Sequence, residues 1–523
     1  MRTHTGAARA VRTSASLQPR ARCVLIVAAL CAAAAAQIAV AAIPASERQA
    51  LIDLYEATGG AEWKARGGWL GAPGTECSWE RVLCDDTQSH VQALYLADNN
   101  LQGELPPLTA FTQLVQFQAP VNALTGPLPT AVPATLTELM LQINALTGPI
   151  PDYSATPALI DLHIHHNRLS GSLPSSAQLA QYRVFAAGSN ELTGTIPSPP
   201  GGESMALFNV GYNRLTGPVP ELARPELPNL WHFGAEANQL TGTIPELPPQ
   251  LIELELGDNQ LEGEIPPLSH LTDLWYLALQ KNRLTGPLPD LSNTAYAGAI
   301  RVDHNQLSGP LPALSHMSYL YWFDASSNQF EGSLPSLAGM AALNYFWADD
   351  NRLTGTLPAF SGNDVLVAFS VAGNRLEGSI PALPATGLMY LDVSRNRLSG
   401  ALPELATVPG LAFFLASDNQ LSGTLPPLDG AGALNVIDVA RNQLGGPLPS
   451  LAGAPLLGWV RLNGNTFVGA PPALPNQMQA GQSRLCPGTL DPVPDPAWDA
   501  ATGVSPWFAA CADALFEDGF EVR

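Results

Sequence analysis

The sequence is poor in charge. Only 13% of its 523 residues are Asp, Glu, Lys or Arg, and lysine occurs just twice, at Lys64 and Lys281. It has no Asn-x-Ser/Thr glycosylation acceptor and no G-x-S-x-G, H-E-x-x-H, P-loop or C-x-x-C frame. After residue 42 it has no apolar run long enough to span a membrane. These absences exclude whole classes of function. Without a basic face to neutralise phosphates, nucleic acid is not a partner. Without a catalytic frame, and with carboxylates scattered over what should be an open, wet groove, the chain reads as a binder and not an enzyme. No cofactor is expected. Long helices are excluded by 46 Gly and 48 Pro, which break them repeatedly.

What is present begins with a targeting segment. Residues 1–42 carry five arginines and no acid, then a run from Val24 to Ala42 that is apolar except for Gln37. Small residues at Ala39-Val40-Ala41-Ala42 suit signal peptidase, so cleavage is expected near Ala41 or Ala42, leaving no stable membrane span; the alternative is an uncleaved anchor, since the run approaches spanning length. Losing five arginines takes the net charge from −21 to −26. Such a field suits cationic partners, divalent ions or neutral glycans. Four cysteines follow the segment, Cys77, Cys84, Cys486 and Cys511. In an exported chain an even count reads as two disulfides, and of the three possible pairings the sequence-local one, Cys77–Cys84 with Cys486–Cys511, is preferred. Abundant alanine and arginine over lysine point to a bacterial source, and the segment to a secreted or cell-surface location.

Between Leu94 and Pro472 one pattern recurs, L-x-L-x-x-N-x-L-x-G-x-[LI]-P, with its Asn at 17 positions from Asn99 to Asn465. The mean spacing is about 23 residues, within the range of leucine-rich repeats. The apolar residues five and three before each Asn, such as Leu254 and Leu256, lie two apart and on a strand point to one face, inward. Phe and Ala replace them in places, as at Phe346 and Ala348, which suggests that neighbours trade volume. The Asn amide satisfies backbone groups where the strand ends, and identical turns stack into an Asn ladder. The Gly allows a tight bend. The expected division is a signal peptide over 1–42, an N-terminal cap over 43–90 with a helix from Glu47 to Leu54, a solenoid of 17 repeats over 91–472, and a C-terminal cap with an acidic tail over 473–523.

Over residues 47–472 the chain resembles the plant-type subclass of leucine-rich-repeat proteins. The resemblance rests on L-[TS]-G-x-[LI]-P, as in Leu240-Thr241-Gly242-Thr243-Ile244-Pro245, and on Cys-x-Trp-x-x-Val-x-Cys from Cys77 to Cys84, similar to that family's N-terminal cap. It implies an α/β-type repeat solenoid: a right-handed superhelix with a parallel concave β-sheet, short secondary strands, and a 3₁₀ or irregular convex side. It also implies binding of proteins, peptides or glycans. The chain departs from the family's receptors in having no kinase domain and no C-terminal span, which points to a free-standing binder.

Residues six, four and two before each Asn alternate with the buried pair and should face a partner. Six before lie Tyr276, Trp322, Tyr345, Tyr390, Phe413 and Trp459, and Trp347 lies four before. Asp303, Asp324, Asp349, Asp392 and Asp438 lie among them. Rings beside carboxylates suit cationic peptides or sugars, so the expected partner is a protein or peptide, with polysaccharide as the alternative and a structural surface role as a third. Asp161, His163 and His165 alternate on one strand, followed by His166, with Glu138 one coil away. Imidazoles two apart could share Zn²⁺ or Cu²⁺ with a carboxylate completing the set, but no closed four-ligand frame is evident, so a solvated polar strand is the preferred reading. Glu253, Glu255 and Asp258, next to Glu236, read as an acidic patch serving solubility.

Overall fold

Alternating apolar residues ahead of each Asn make short strands, and because every coil has the same pattern the strands stack. The structure is a computed structural model that describes residues 43–511, apart from positions 199, 385, 476 and 487. The targeting segment over 1–42 and residues 512–523 of the tail lie outside the described residues. An 18-stranded sheet runs the length of the molecule. Its first strand, Val82–Cys84, pairs antiparallel with Val91–Tyr95, and every later pairing is parallel and in register. On the adjoining flank the Leu-x-Gly segments form shorter sheets of 2, 10 and 4 strands. The convex arcs are turns, interrupted by a helix of 4 residues at Ser176–Leu179 and a 3₁₀ turn at Leu405–Thr407. This is the expected leucine-rich-repeat solenoid, with secondary strands and an irregular convex side.

The core is a stack of identical layers. The residue five before each Asn is fully buried, from Leu94 through Phe208, Leu254 and Phe346 to Val460. Where that residue is Phe, the one three before the Asn is small: Phe117 with Ala119, Phe233 with Ala235, Phe323 with Ala325, Phe346 with Ala348, Phe208 with Val210. Leu254 by contrast is followed by Leu256. Volume is thus exchanged within a strand, which keeps packing dense. Phenylalanines in successive coils stack, Phe185 on Phe208 at 5.7 Å and Phe208 on Phe233 at 5.5 Å between centroids.

The Asn ladder explains why that residue recurs. Asn259 Nδ2 donates to the carbonyls of Leu256 and Gly257 in its own coil at 3.1 Å and of Ala235 in the preceding coil at 3.0 Å, while Leu240 N–H donates to Asn259 Oδ1 at 2.9 Å. One side chain therefore satisfies four backbone groups at a turn that cannot pair them by itself. The residue just before each Asn is left-handed, with φ of 52° at Asp258 and 57° at Ile143. Val121 and Ile143 occupy this position despite the strain it imposes on a branched side chain, so the ladder outweighs local preference. Asn259→Ala should lower the unfolding free energy by about 1–3 kcal/mol, the cost of stranding buried backbone groups. Chemical denaturation would show it as a lower midpoint.

Convex arcs absorb changes in coil length. Asn213 and Asn238 are 25 residues apart, Asn238 and Asn259 only 21, yet the strands Leu207–Asn209, His232–Gly234 and Glu253–Glu255 stay in register. Both ends of the stack are sealed by tryptophan. In the N-terminal part, helix Ala45–Ala57 packs near Trp63, Trp69 and Trp79, with Trp63 and Trp69 at 4.8 Å. Buried Glu47 accepts from Val91 N–H and contacts His90 Nδ1, both at 2.8 Å, which ties the helix to the first parallel pair. The first ladder residue, Asn99, turns back to Ala65 instead of to a preceding coil. At the other end Trp498 and Trp507 are buried, and Trp498 Nε1 donates to Pro472 O at 2.8 Å. Cys77 is bonded to Cys84 and Cys486 to Cys511. Among the described residues no helix is long and apolar enough to cross a membrane.

Candidate functional site: the concave face

Each concave strand projects two side chains, six and four before its Asn, onto the open face of the sheet. The rows so formed bring most of the aromatic residues together. Trp322 and Tyr345, in adjacent strands, have centroids 5.1 Å apart. Trp347 stacks on Tyr390 at 5.9 Å although a whole coil lies between them, because that coil presents only Ala368 and Ser370, which the rings cover. Tyr390 continues to Phe413 at 5.8 Å, and Phe413 is 39% exposed. The indole N–H groups of Trp322 and Trp347 are buried without a hydrogen-bond acceptor among the described residues.

Tyr276 and Trp459 stand apart from this row. Ala299 separates Tyr276 from Trp322, and Arg301 spans the gap, its guanidinium 5.5 Å over the Trp322 ring. Val436 separates Phe413 from Trp459, where Arg461 lies 4.9 Å from the ring centroid. Sequence reading passed over both arginines, although their position four before an Asn was a sufficient signal.

Among the rings runs the acidic series. Burial raises the Asp324 carboxyl to about 6, assisted by Asp303, and the Asp349 carboxyl to about 7, assisted by Asp392 and Asp324. Burial likewise raises Asp392 and Asp438. The groove was expected to be too wet to shift a carboxyl pKa. The structure differs because these carboxylates are set into the surface of the stack, where burial is the largest cause of each shift. The carboxylates also have structural work. Asp324, Asp392 and Asp438 each accept from the backbone N–H two residues on, at 2.9–3.1 Å, turning the chain as the strand ends. Asp349 Oδ1 accepts from Ser370 Oγ at 2.5 Å and Ala372 N–H at 2.6 Å in the next coil. Asp303 contacts His304 Nδ1 at 3.0 Å through Oδ2, and its Oδ1 has no partner among the described residues.

A second region lies several coils nearer the N-terminus, in a cavity of ≈ 630 Å³ bounded by His163, His165, His166, Tyr212, His232, Glu236 and Glu253. His163 and His165 have centroids 6.4 Å apart. Burial lowers both pKa values, that of His165 to about 4. Asp161 is paired with Arg183, whose Nε donates to it at 3.0 Å in a forked pair. The donor atoms that do converge lie three and four strands further along: His232, Glu253 and Glu255. Glu253 and Glu255 were visible in the sequence as an acidic pair. His232 was not, because it stands alone in its coil and gains its neighbours only across strands.

Neither a protein-family model nor a curated protein matches the chain. Solved structures do resemble it. The Arabidopsis receptor kinase HAESA, in complex with the peptide hormone IDA and the co-receptor SERK1, shares 24% identity over 86% of this chain and 82% of that one, with a TM-score of 0.70. The plant peptide hormone receptor RGFR1 in complex with RGF2 shares 25% identity over 79% and 84%, with a TM-score of 0.52. YopM from Yersinia enterocolitica shares 27% identity over 78% and 85%, also at 0.52. Plant receptors and a bacterial protein share this architecture, and the chain's fold is that of a leucine-rich-repeat solenoid.

Proposed function

We propose that the chain is an exported recognition protein of the plant-type leucine-rich-repeat subclass, which binds a protein or peptide on its concave face. The observation that carries this reading is the row Trp322, Tyr345, Trp347, Tyr390 and Phe413, neighbouring rings held on a rigid sheet beside carboxylates. Rings on a rigid scaffold lose little entropy on binding and supply much of the energy of interfaces. The carboxylates of Asp324, Asp349 and Asp392, each partly exposed among the rings, favour cationic groups. The similarity to a plant receptor solved in complex with RGF2 supports a peptide as ligand. Binding is favoured over catalysis because Asp324, Asp349 and Asp392 already accept hydrogen bonds from the turns and from Ser370. A secreted or cell-surface location follows from the targeting segment.

A peptide-display selection on the processed protein tests the reading. Selected peptides should be enriched in Lys and Arg, and Trp322→Ala with Trp347→Ala should weaken their binding by about 30-fold or more, the loss of a hot spot of ~2 kcal/mol. Peptides held equally by the variant would overturn the concave-face site. Retention of a polysaccharide, lost in the same variant, would replace peptide by glycan.

A further inference from the structure

We propose that His232, Glu253 and Glu255 form a Zn²⁺ site on the concave face, separate from the aromatic row and independent of the ligand bound there. Strands His232–Gly234 and Glu253–Glu255 are neighbours, with His232 opposite Glu253 and Gly234 opposite Glu255. One ligand atom from each of the three side chains lies within 4.8 Å of the other two. Atoms sharing a tetrahedral zinc at about 2.1 Å stand roughly 3.4 Å apart, so a rotamer adjustment of the two glutamates closes the set. An imidazole nitrogen with two carboxylates suits zinc better than calcium or magnesium, which take oxygen alone.

Three further features belong to a built site and not to a chance acidic patch. His232 is buried, its side chain only 8% exposed, and its Nδ1 is directed at Glu253 Oε2, 2.6 Å away. Its other nitrogen, Nε2, is held by Asn209 Nδ2 at 3.1 Å, an outer contact of the kind that orients a metal-bound imidazole. Gly234 keeps the space between them open, since a Cβ there would lie 2.6 Å from Asn209 Nδ2 and 3.0 Å from His232 Nε2. Among the described residues neither glutamate is paired with an Arg or Lys, and the His232 ring is the one group at hydrogen-bond distance from Glu253 in the cluster. The cavity over the site, with His163, His165, Tyr212 and Glu236 on its walls, leaves the fourth zinc position open to water or to a donor from a bound partner.

The hydrogen bonds dictate how the site loads. With Asn209 donating to Nε2, the ring proton sits on Nδ1 and is shared with Glu253. Zn²⁺ takes Nδ1, and the proton passes to Nε2. Asn209 then turns its amide to present the carbonyl, breaking one contact, Gly211 N–H to Asn209 Oδ1 at 3.2 Å. An aspartate at position 209 would accept from Nε2–H without turning, so Asn209→Asp should tighten zinc binding, by about 10–100-fold if it acts as outer-shell partners do.

Calorimetric titration of the metal-stripped protein with Zn²⁺ at neutral pH, with Co²⁺ absorption as a direct probe of the ligands, tests the assignment. The expected result is one equivalent bound, lost in His232→Ala, weakened in Glu255→Gln, tightened in Asn209→Asp and unchanged in His163→Ala. Circular dichroism of each zinc-free variant checks that it is folded. No binding by the parent protein, binding that survives both His232→Ala and Glu253→Gln, or loss in His163→Ala would overturn the site. An unchanged affinity in Asn209→Asp would overturn the loading step.

Discussion

Phe346→Ala should lower the unfolding free energy by about 3–5 kcal/mol, the range for truncating a large core aromatic. Phe346 is fully buried between Phe323 at 5.4 Å and Phe369 at 5.3 Å. Its neighbours cannot collapse into the vacated space, because the strands on either side fix both stacked rings and the same strand offers only Ala348. In a solenoid each coil is stabilised by the next, so the loss should also weaken cooperativity and reduce the denaturant slope as the stack parts into two blocks. A second variant tests the cause. If volume is exchanged within a strand, adding Ala348→Leu to Phe346→Ala should recover part of the loss. A double variant no more stable than the single one would show that ring stacking, and not volume, is what matters.

Asp349→Asn should stabilise the protein at pH 8 by up to about 4 kcal/mol and have no effect near pH 4. The sign follows from proton linkage. The folded-state carboxyl is raised from 3.8 to about 7, so between these values the folded chain holds a proton that the unfolded chain has released. Stability from this group is present below pH 4 and lost as pH rises through 7. At ~1.36 kcal/mol per unit, the raised value sets the upper bound of ~4 kcal/mol. Asparagine keeps an oxygen for Ser370 and Ala372 and introduces no charge, so it removes the penalty without breaking the turn. Thermal melts of both proteins at pH 4, 6 and 8 would separate this from a simple packing change, which would shift all three alike. The same ionisation bears on ligand capture. Between pH 5 and pH 8, affinity for a cationic peptide should rise as Asp324 and Asp349 become charged.

Much of this molecule could be read before the fold was known, because its repeat encodes one coil and the stack follows by translation. Leu254, Leu256 and Asn259 carry the strand, its inner face and its turn, and counting back from the Asn placed Trp322, Tyr345 and Trp347 on the open face. What could not be read depends on neighbours about 23 residues away in the chain. Trp347 reaches Tyr390 only because Ala368 and Ser370 are small, and Asp349 is buried only in the assembled stack, where Ser370 and Ala372 of the next coil close on it. His232 looked isolated for the same reason, its partners Asn209 and Glu253 being supplied by the coils before and after it. The left-handed Val121 and Ile143 were illegible for a different reason. There the stacked Asn turns overrule a local preference, and nothing in the residue itself announces it.

The uneven arcs on the convex side have an evolutionary consequence. A coil of 25 residues beside one of 21 leaves the register of the strands untouched. Slippage during DNA replication can therefore gain or lose a few codons there without penalty to the opposite face. A whole duplicated unit would lengthen the sheet by one row, about 4.8 Å. A lineage carrying such a gene can vary the span of its recognition surface in discrete steps, while the residues that meet a partner mutate independently of those that hold the stack together.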